Sequence, residues 1–204
     1  DKKMVIRKNL KDKYALISVY NKKNLRYLCS NLIKHDYKLI SSGSTGEKIR
    51  SIGFKCIDIS KVTKSKEMFN GRIKTINPFI YASLLYVRSD KKHIKQFLSL
   101  NFPEIDIVIV NLYPFEKYYQ NNTNEKIIEM IDIGGPSLLR AASKNFRFIT
   151  PIIDIEDYEK LIKNLEKFSG KTDIVFRKKM ASKVFKKTSN YDKLIFKWFN
   201  EQKV

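Results

Sequence analysis

Apolar positions along the chain switch between two periods. Residues 14–20 (YALISVY) are almost unbroken in apolar character, as a buried strand should be, whereas 22–35 repeat Leu25, Leu28, Leu32 and Ile33 at helical spacing. The exchange recurs downstream. Short strands are predicted at 38–41 and 56–59, separated by a helix from Thr45 to about Ile52 that Gly53 ends. A helix over 91–100 leads into 106–112 (DIVIVNL), the strongest strand signal in the chain. Helices over 124–131 and 136–143 follow, the second with Pro136 in its first turn, then a strand over 148–153. Helices over 157–168 and 173–199 close the pattern, the last with Phe185, Tyr191, Ile195 and Trp198 to bury. Between 60 and 87 the periodicity is weak, and irregular stretches of that length in compact domains usually carry function.

Strand–helix alternation of this kind predicts an α/β fold: a single doubly wound, mostly parallel sheet built from 13–204, with 1–12 as an N-terminal tail. The length of 204 residues suits one domain, and 43% hydrophobic with 30% charged residues excludes wholesale disorder. Residues 1–14 are charged and lack an apolar centre, and no run reaches the ~18–20 apolar residues that cross a bilayer. No membrane partner and a cytoplasmic location are therefore expected.

Charge changes this picture less than its size implies. Forty-one Lys and Arg against 21 Asp and Glu give a formal +20, which would put nucleic acid first among partners. Only eight of these cations are Arg, and Lys runs from Lys2 to Lys203 together with abundant Ile, Asn, Phe and Tyr. A binding face would concentrate its charge, so a solvated basic surface and no specific nucleic acid are expected. Cys29 and Cys56 have no metal spacing and read as reduced core residues. His35 and His93 lie in Lys-flanked helical stretches, which supplies neither His catalysis nor a His-ligated metal.

Doubly wound sheets bind ligands beyond the carboxyl ends of their strands, and there the polar residues gather. Ser41-Ser42-Gly43-Ser44-Thr45-Gly46 follows a strand and opens a helix, offering hydroxyls and N–H groups to an anion. Ser18 and Lys22 add a hydroxyl and a cation at the same edge. In Gly71-Arg72-Ile73-Lys74-Thr75 the two cations alternate, so an extended loop points both the same way. Asn111 and Tyr113 end the most apolar strand, where leaving them unpartnered would be costly. Asp132 precedes Ile133-Gly134-Gly135-Pro136, whose N–H groups can face a developing oxyanion. Arg140 and Lys144 share one helix face, and a Lys near an Asp in a partly dry cleft can form an acid–base pair. Each motif alone has a plainer reading as a cap, a solvated cation or a surface ion pair.

Together they say more. SVYNK, SSGST, EMFNGRIKTINP, VNLYPF and IDIGGPSLLRAASKN, in that order from about Lys13 to Phe199, resemble the IMP cyclohydrolase domain family, the N-terminal half of bifunctional purine-biosynthesis enzymes. The resemblance implies a methylglyoxal-synthase-like fold, a homodimer, no cofactor or metal, and a small purine ribotide as substrate. It implies dehydrative ring closure of 5-formamidoimidazole-4-carboxamide ribotide to IMP. Lys144 would be the proton donor and acceptor, with Asp132, Lys74 and Tyr113 as supporting catalytic groups. Asp132 with Lys144 would manage the carboxamide proton, while Lys74 and the N–H groups at Ile133 and Gly134 would stabilise the formyl oxygen. Ser18, Lys22, Ser42, Gly43, Ser44 and Thr45 would hold the phosphoribosyl group; Arg72, Thr75 and Asn111 would surround the heterocycle.

The sequence departs from the family in places. Tyr20-Asn21-Lys22 stands where it has Ser-Asp-Lys, and Asn77-Pro78 with Tyr81-Ala82-Ser83 where it has His-Pro and His-Gly-Gly. Nothing after residue 204 matches the formyltransferase domain, which is expected to be separate or missing. The alternatives are a non-catalytic nucleotide-binding or regulatory module on the same fold, and a polyanion-binding basic protein.

Overall fold

The computed structural model describes residues 12–65, 68–69, 72–73, 75–119 and 123–202. Five strands, β1 (Lys13–Val19), β2 (Tyr37–Ser41), β3 (Ile57–Asp58), β4 (Ile105–Asn111) and β5 (Thr150–Ile152), form one sheet in the order β3-β2-β1-β4-β5. Every pairing is parallel, because each connection returns through at least one helix. The predicted doubly wound α/β sheet is the observed one.

Side-chain alternation along the strands sorts the core into two layers. From β1, Tyr14 and Leu16 join β4's Val108 and Val110 under α4 (Pro78–Leu85) and α8 (Gly134–Lys144). Ala15, Ile17 and Val19 join Ile107 and Ile109 on the opposite face, under α1 (Leu25–Lys34), α2 (Gly43–Ser51) and α9 (Tyr158–Lys167). Shorter helices α3 (Ile59–Thr63), α5 (Lys91–Ser99), α6 (Phe115–Tyr119) and α7 (Asn124–Glu129) fill the connections. The long α10 (Ile174–Glu201) gives Met180 to one layer and Val184 to the other. Its second half adds Tyr191 and Trp198 to a satellite cluster with Phe115 and Ile127.

The differences from the predicted elements have local causes. The stretch 60–87, expected to be irregular, contains α4, whose sequence PFIYASLL is apolar nearly throughout and so carries no amphipathic stripe. Its start was nevertheless written in Asn77-Pro78: Asn77 Oδ1 accepts the Phe79 N–H at 2.9 Å, and Pro78 needs no N–H there. Helix α1 starts three residues later than predicted because Asn24 adopts a left-handed backbone, φ 60°. Helix α8 starts at Gly134, ahead of Pro136. Both cysteines are free, and burial pushes their thiols up, Cys29 to about 12 and Cys56 to about 11. Of the predicted tail, 1–12, only Asp12 is described; its carboxylate pairs with Lys38 at 2.5 Å. Among the described residues no helix is long and apolar enough to cross a membrane.

Candidate active site

Sheet order reverses direction at β1, which lies between β2 and β4, and the crevice beyond these carboxyl ends is where such folds bind ligands. On the β1–β2 side the loops are tied down by side chains. Ser41 Oγ donates to the Ile17 carbonyl at 2.7 Å, and Thr45 Oγ1 both accepts from the Val19 N–H (3.1 Å) and donates to its carbonyl (3.0 Å). Thr45 is therefore a brace that locks the first turn of α2 against the end of β1. Ser42 precedes that helix in extended conformation with its hydroxyl not used in a capping bond, and Gly43 and Ser44 form its first turn. The N–H groups of a first turn have no partner within their own helix, so this corner presents hydroxyls and donors to an anion. Ser18 is half-buried beside it, and the Lys22 ammonium donates to the Tyr20 carbonyl at 3.3 Å.

On the β4 side Asn111 has a different role from the expected one. Its Oδ1 accepts the Asn21 N–H at 2.8 Å and its Nδ2 donates to the Asn21 carbonyl at 3.0 Å, so the amide zips the loop after β1 to β4. Two residues on, the half-exposed Tyr113 ring meets Tyr20 edge-to-face with centroids 5.4 Å apart. The bulky Tyr20 thus packs on a predicted catalytic residue.

The centre of the arrangement is Asp132. Its Oδ1 accepts the Gly135 N–H at 2.8 Å, and the Tyr113 N–H also donates to the carboxylate. Burial pushes this carboxyl above its ordinary value, while the two N–H donors pull the other way. The twin glycines make the approach possible. A Cβ on Gly135 would lie 2.4 Å from Asp132 Oδ2, and one on Gly134 would lie 2.9 Å from Thr75 Oγ1. Thr75, Asp132, Ile133, Gly134 and the Tyr113 backbone are therefore brought together at the N-terminus of α8.

Other predicted residues stand apart. Arg72 is exposed and paired with Glu129. Lys74 lies outside the described residues. Lys144 is the last residue of the 11-residue α8, so about 15 Å of helix axis separates it from the Asp132 end at 1.5 Å per residue. Within one chain the expected Asp132–Lys144 pair does not form. The departures at 77 and 81 have structural roles: Asn77 caps α4, and the Tyr81 hydroxyl donates to Ser137 Oγ at 2.7 Å, joining α4 to α8.

Tyr191 was foreseen only as a packing residue. Its hydroxyl accepts the Asp132 N–H at 2.9 Å and donates to the Met130 carbonyl at 3.0 Å, a contact across 59 residues that no local pattern announces.

Comparisons with known proteins bear on the fold and the family. A family model described as the MGS-like domain matches residues 24–137, and one described as the AICARFT/IMPCHase bienzyme matches 142–204. The bifunctional purine biosynthesis protein PurH of Lactobacillus acidophilus is 42% identical over 192 residues, covering 93% of this chain and 37% of the relative. PurH of Caldicellulosiruptor saccharolyticus is 41% identical over 189 residues, covering 92% and 37%. The chain thus spans a little over a third of the length of the curated relatives it matches. The crystal structure of ForH superposes with a TM-score of 0.83 at 26% identity, covering 92% of this chain and 97% of that one. With more than half of its length matched by that model, and a parallel sheet whose crevice opens at the switch point, the chain belongs to the MGS-like domain family.

Proposed function

We propose that the chain is an IMP cyclohydrolase, closing the second purine ring of 5-formamidoimidazole-4-carboxamide ribotide with loss of water. The observation that carries this reading is the half-buried Asp132 carboxyl, held by two backbone N–H groups where α8 begins. In the reaction the carboxamide nitrogen attacks the formyl carbon, a C–N bond forms, and the nitrogen's proton must leave as the formyl oxygen gains charge. Asp132 is the base that takes this proton, its affinity for it raised by burial. The N–H groups at Ile133 and Gly134 stabilise the developing oxyanion, with the Lys74 ammonium as a further source of positive charge in this reading. Returned to that oxygen, the proton taken by Asp132 gives a hydroxyl; the C–O bond then breaks and the hydroxyl leaves as water with a second proton, while the former formamide nitrogen loses its N–H and forms the C=N bond of the new ring. Because both reacting groups belong to one molecule, holding them in line supplies much of the acceleration.

The corner of Ser18, Lys22, Ser42, Gly43 and Ser44 takes the phosphoribosyl group, braced by Thr45, while Arg72, Thr75 and Tyr113 border the heterocycle. Asn111 contributes by fixing the loop after β1. Lys144 enters this reading from a second copy of the chain, consistent with a homodimer.

Ring closure followed by ultraviolet absorbance tests the proposal. Asp132→Asn is expected to lower turnover by about 10²–10⁴-fold with the protein still folded. A folded wild-type chain that binds IMP without turning over the ribotide would replace the enzyme by a binding module. Lys144→Ala and Asp132→Asn chains, each inactive alone, are expected to regain turnover when mixed; an active Lys144→Ala chain removes Lys144 from the chemistry.

A further inference from the structure

Asp132 is held by loops that have no regular structure of their own, so something must fix them. The segment 130–133 links α7 to α8, and the segment 112–114 links β4 to α6. The first carries the carboxylate, and the second gives it the Tyr113 N–H. Both rest on the second half of α10. Phe115, 2% exposed, meets the Tyr191 and Trp198 rings edge-on, each at 6.2 Å between centroids. Ile127, Met130 and Ile131 pack into the same satellite cluster.

At the middle of this contact lies one polar group. The Tyr191 hydroxyl accepts the N–H of Asp132 and donates to the carbonyl of Met130, which gives a buried phenol its two partners and ties down the first and third residues of the four-residue link. Burial pushes the phenol up to about 12, so at neutral pH it keeps the proton it gives to Met130.

We propose that Tyr191 is a positioning residue for the reaction, holding the Asp132 carboxylate in register with the α8 N-terminus through the backbone of 130–132. This rests on the cyclohydrolase reading above. Packing alone would be served by Phe at this position; the hydroxyl is what fixes the backbone of the reacting group.

Tyr191→Phe removes the two hydrogen bonds and leaves the ring. It is expected to lower kcat by about 10–100-fold, the effect of small misplacements at a reacting group, while KM for the ribotide stays within about twofold. The Asp132 carboxyl titration, followed by ¹³C NMR, should fall back toward the ordinary carboxylate range as water enters. Ile195→Ala, which thins the same cluster without touching either hydrogen bond, is expected to lower the melting temperature and spare kcat. Wild-type kcat and an unmoved Asp132 titration in Tyr191→Phe, at whatever melting temperature, overturn the proposal. If Tyr191→Phe does not fold, 3,5-difluorotyrosine at 191 keeps the ring, weakens the oxygen as an acceptor, and should lower kcat with KM held; unchanged kcat overturns the proposal equally. If the wild-type chain itself fails to cyclise the ribotide, the cyclohydrolase reading fails. The Asp132 titration then decides alone: a shift in the variant upholds the positioning role and none overturns it.

Discussion

The two ends of β4 each carry a polar cluster, and the two are built on different plans. At its start Arg88 lies between Glu104 (3.1 Å) and Asp106 (2.6 Å) and donates to the Ile105 carbonyl (2.7 Å), while the Tyr86 hydroxyl meets the other Glu104 oxygen. Charge is answered there by charge. At the far end the Asp132 carboxylate is met by backbone N–H groups. Neutralised clusters hold a fold together; a carboxyl held by fixed dipoles keeps its proton affinity adjustable, which is what acid–base chemistry needs.

The largest break in this comparison is expected from Gly135→Ala. The added Cβ cannot share space with Asp132 Oδ2 at 2.4 Å, so the carboxylate must leave its donors, and turnover should fall by about 10²-fold or more. Measuring kcat beside the melting temperature checks it, and a variant as active as wild type would remove the N–H cradle from the mechanism.

A smaller effect sharpens the other end. Burial, and then the neighbouring Asp106 charge, push Glu104 from 4.5 to about 7 even with Arg88 beside it. Between those values the folded state holds a proton the unfolded state has released, so this contribution to stability is complete below about pH 4.5 and is lost as pH rises through 7. Wild-type melting temperature should therefore drop between pH 5 and 8. Glu104→Gln should flatten the drop; an equally steep profile in the variant would locate the titration elsewhere.

The smallest effect concerns Arg72 and Glu129, an exposed ion pair between the segment before α4 and the end of α7. Surface pairs of this kind contribute little, which leaves the guanidinium available to an anionic ligand. Arg72→Ala is expected to leave the melting temperature unchanged and raise KM severalfold at constant kcat. A fall in stability instead would make the pair part of the scaffold.

Much of this was legible in the sequence, for reasons that differ from residue to residue. The strands announced themselves because parallel strands are apolar on both faces, and Asp132 and Gly134 because a carboxylate followed by two glycines and a proline marks the start of a helix. Helix α4 hid because it is apolar almost all round. The sequence motifs point Asn111 and Thr45 at a ligand, yet their side chains serve neighbouring backbone; a polar residue beside a strand end looks the same in sequence whether it binds or braces. Within one chain Asp132 and Lys144 stand apart, since the 11 residues of α8 set its two ends apart. Tyr191 could not be seen because its partners are 59 and 61 residues away.

The place of β1 at the middle of the sheet has a consequence for how the chain is made. Its pairing with β2 needs only the intervening α1, but its other edge waits for β4: Tyr14 donates to Asp106, 92 residues further on. At about 5–20 residues per second of synthesis, one side of the strand stays open for roughly 5–20 s. During that interval a row of unpaired backbone groups, flanked by Leu16 and Ile17, is exposed on the ribosome. This is the stage at which a chaperone would have most to protect.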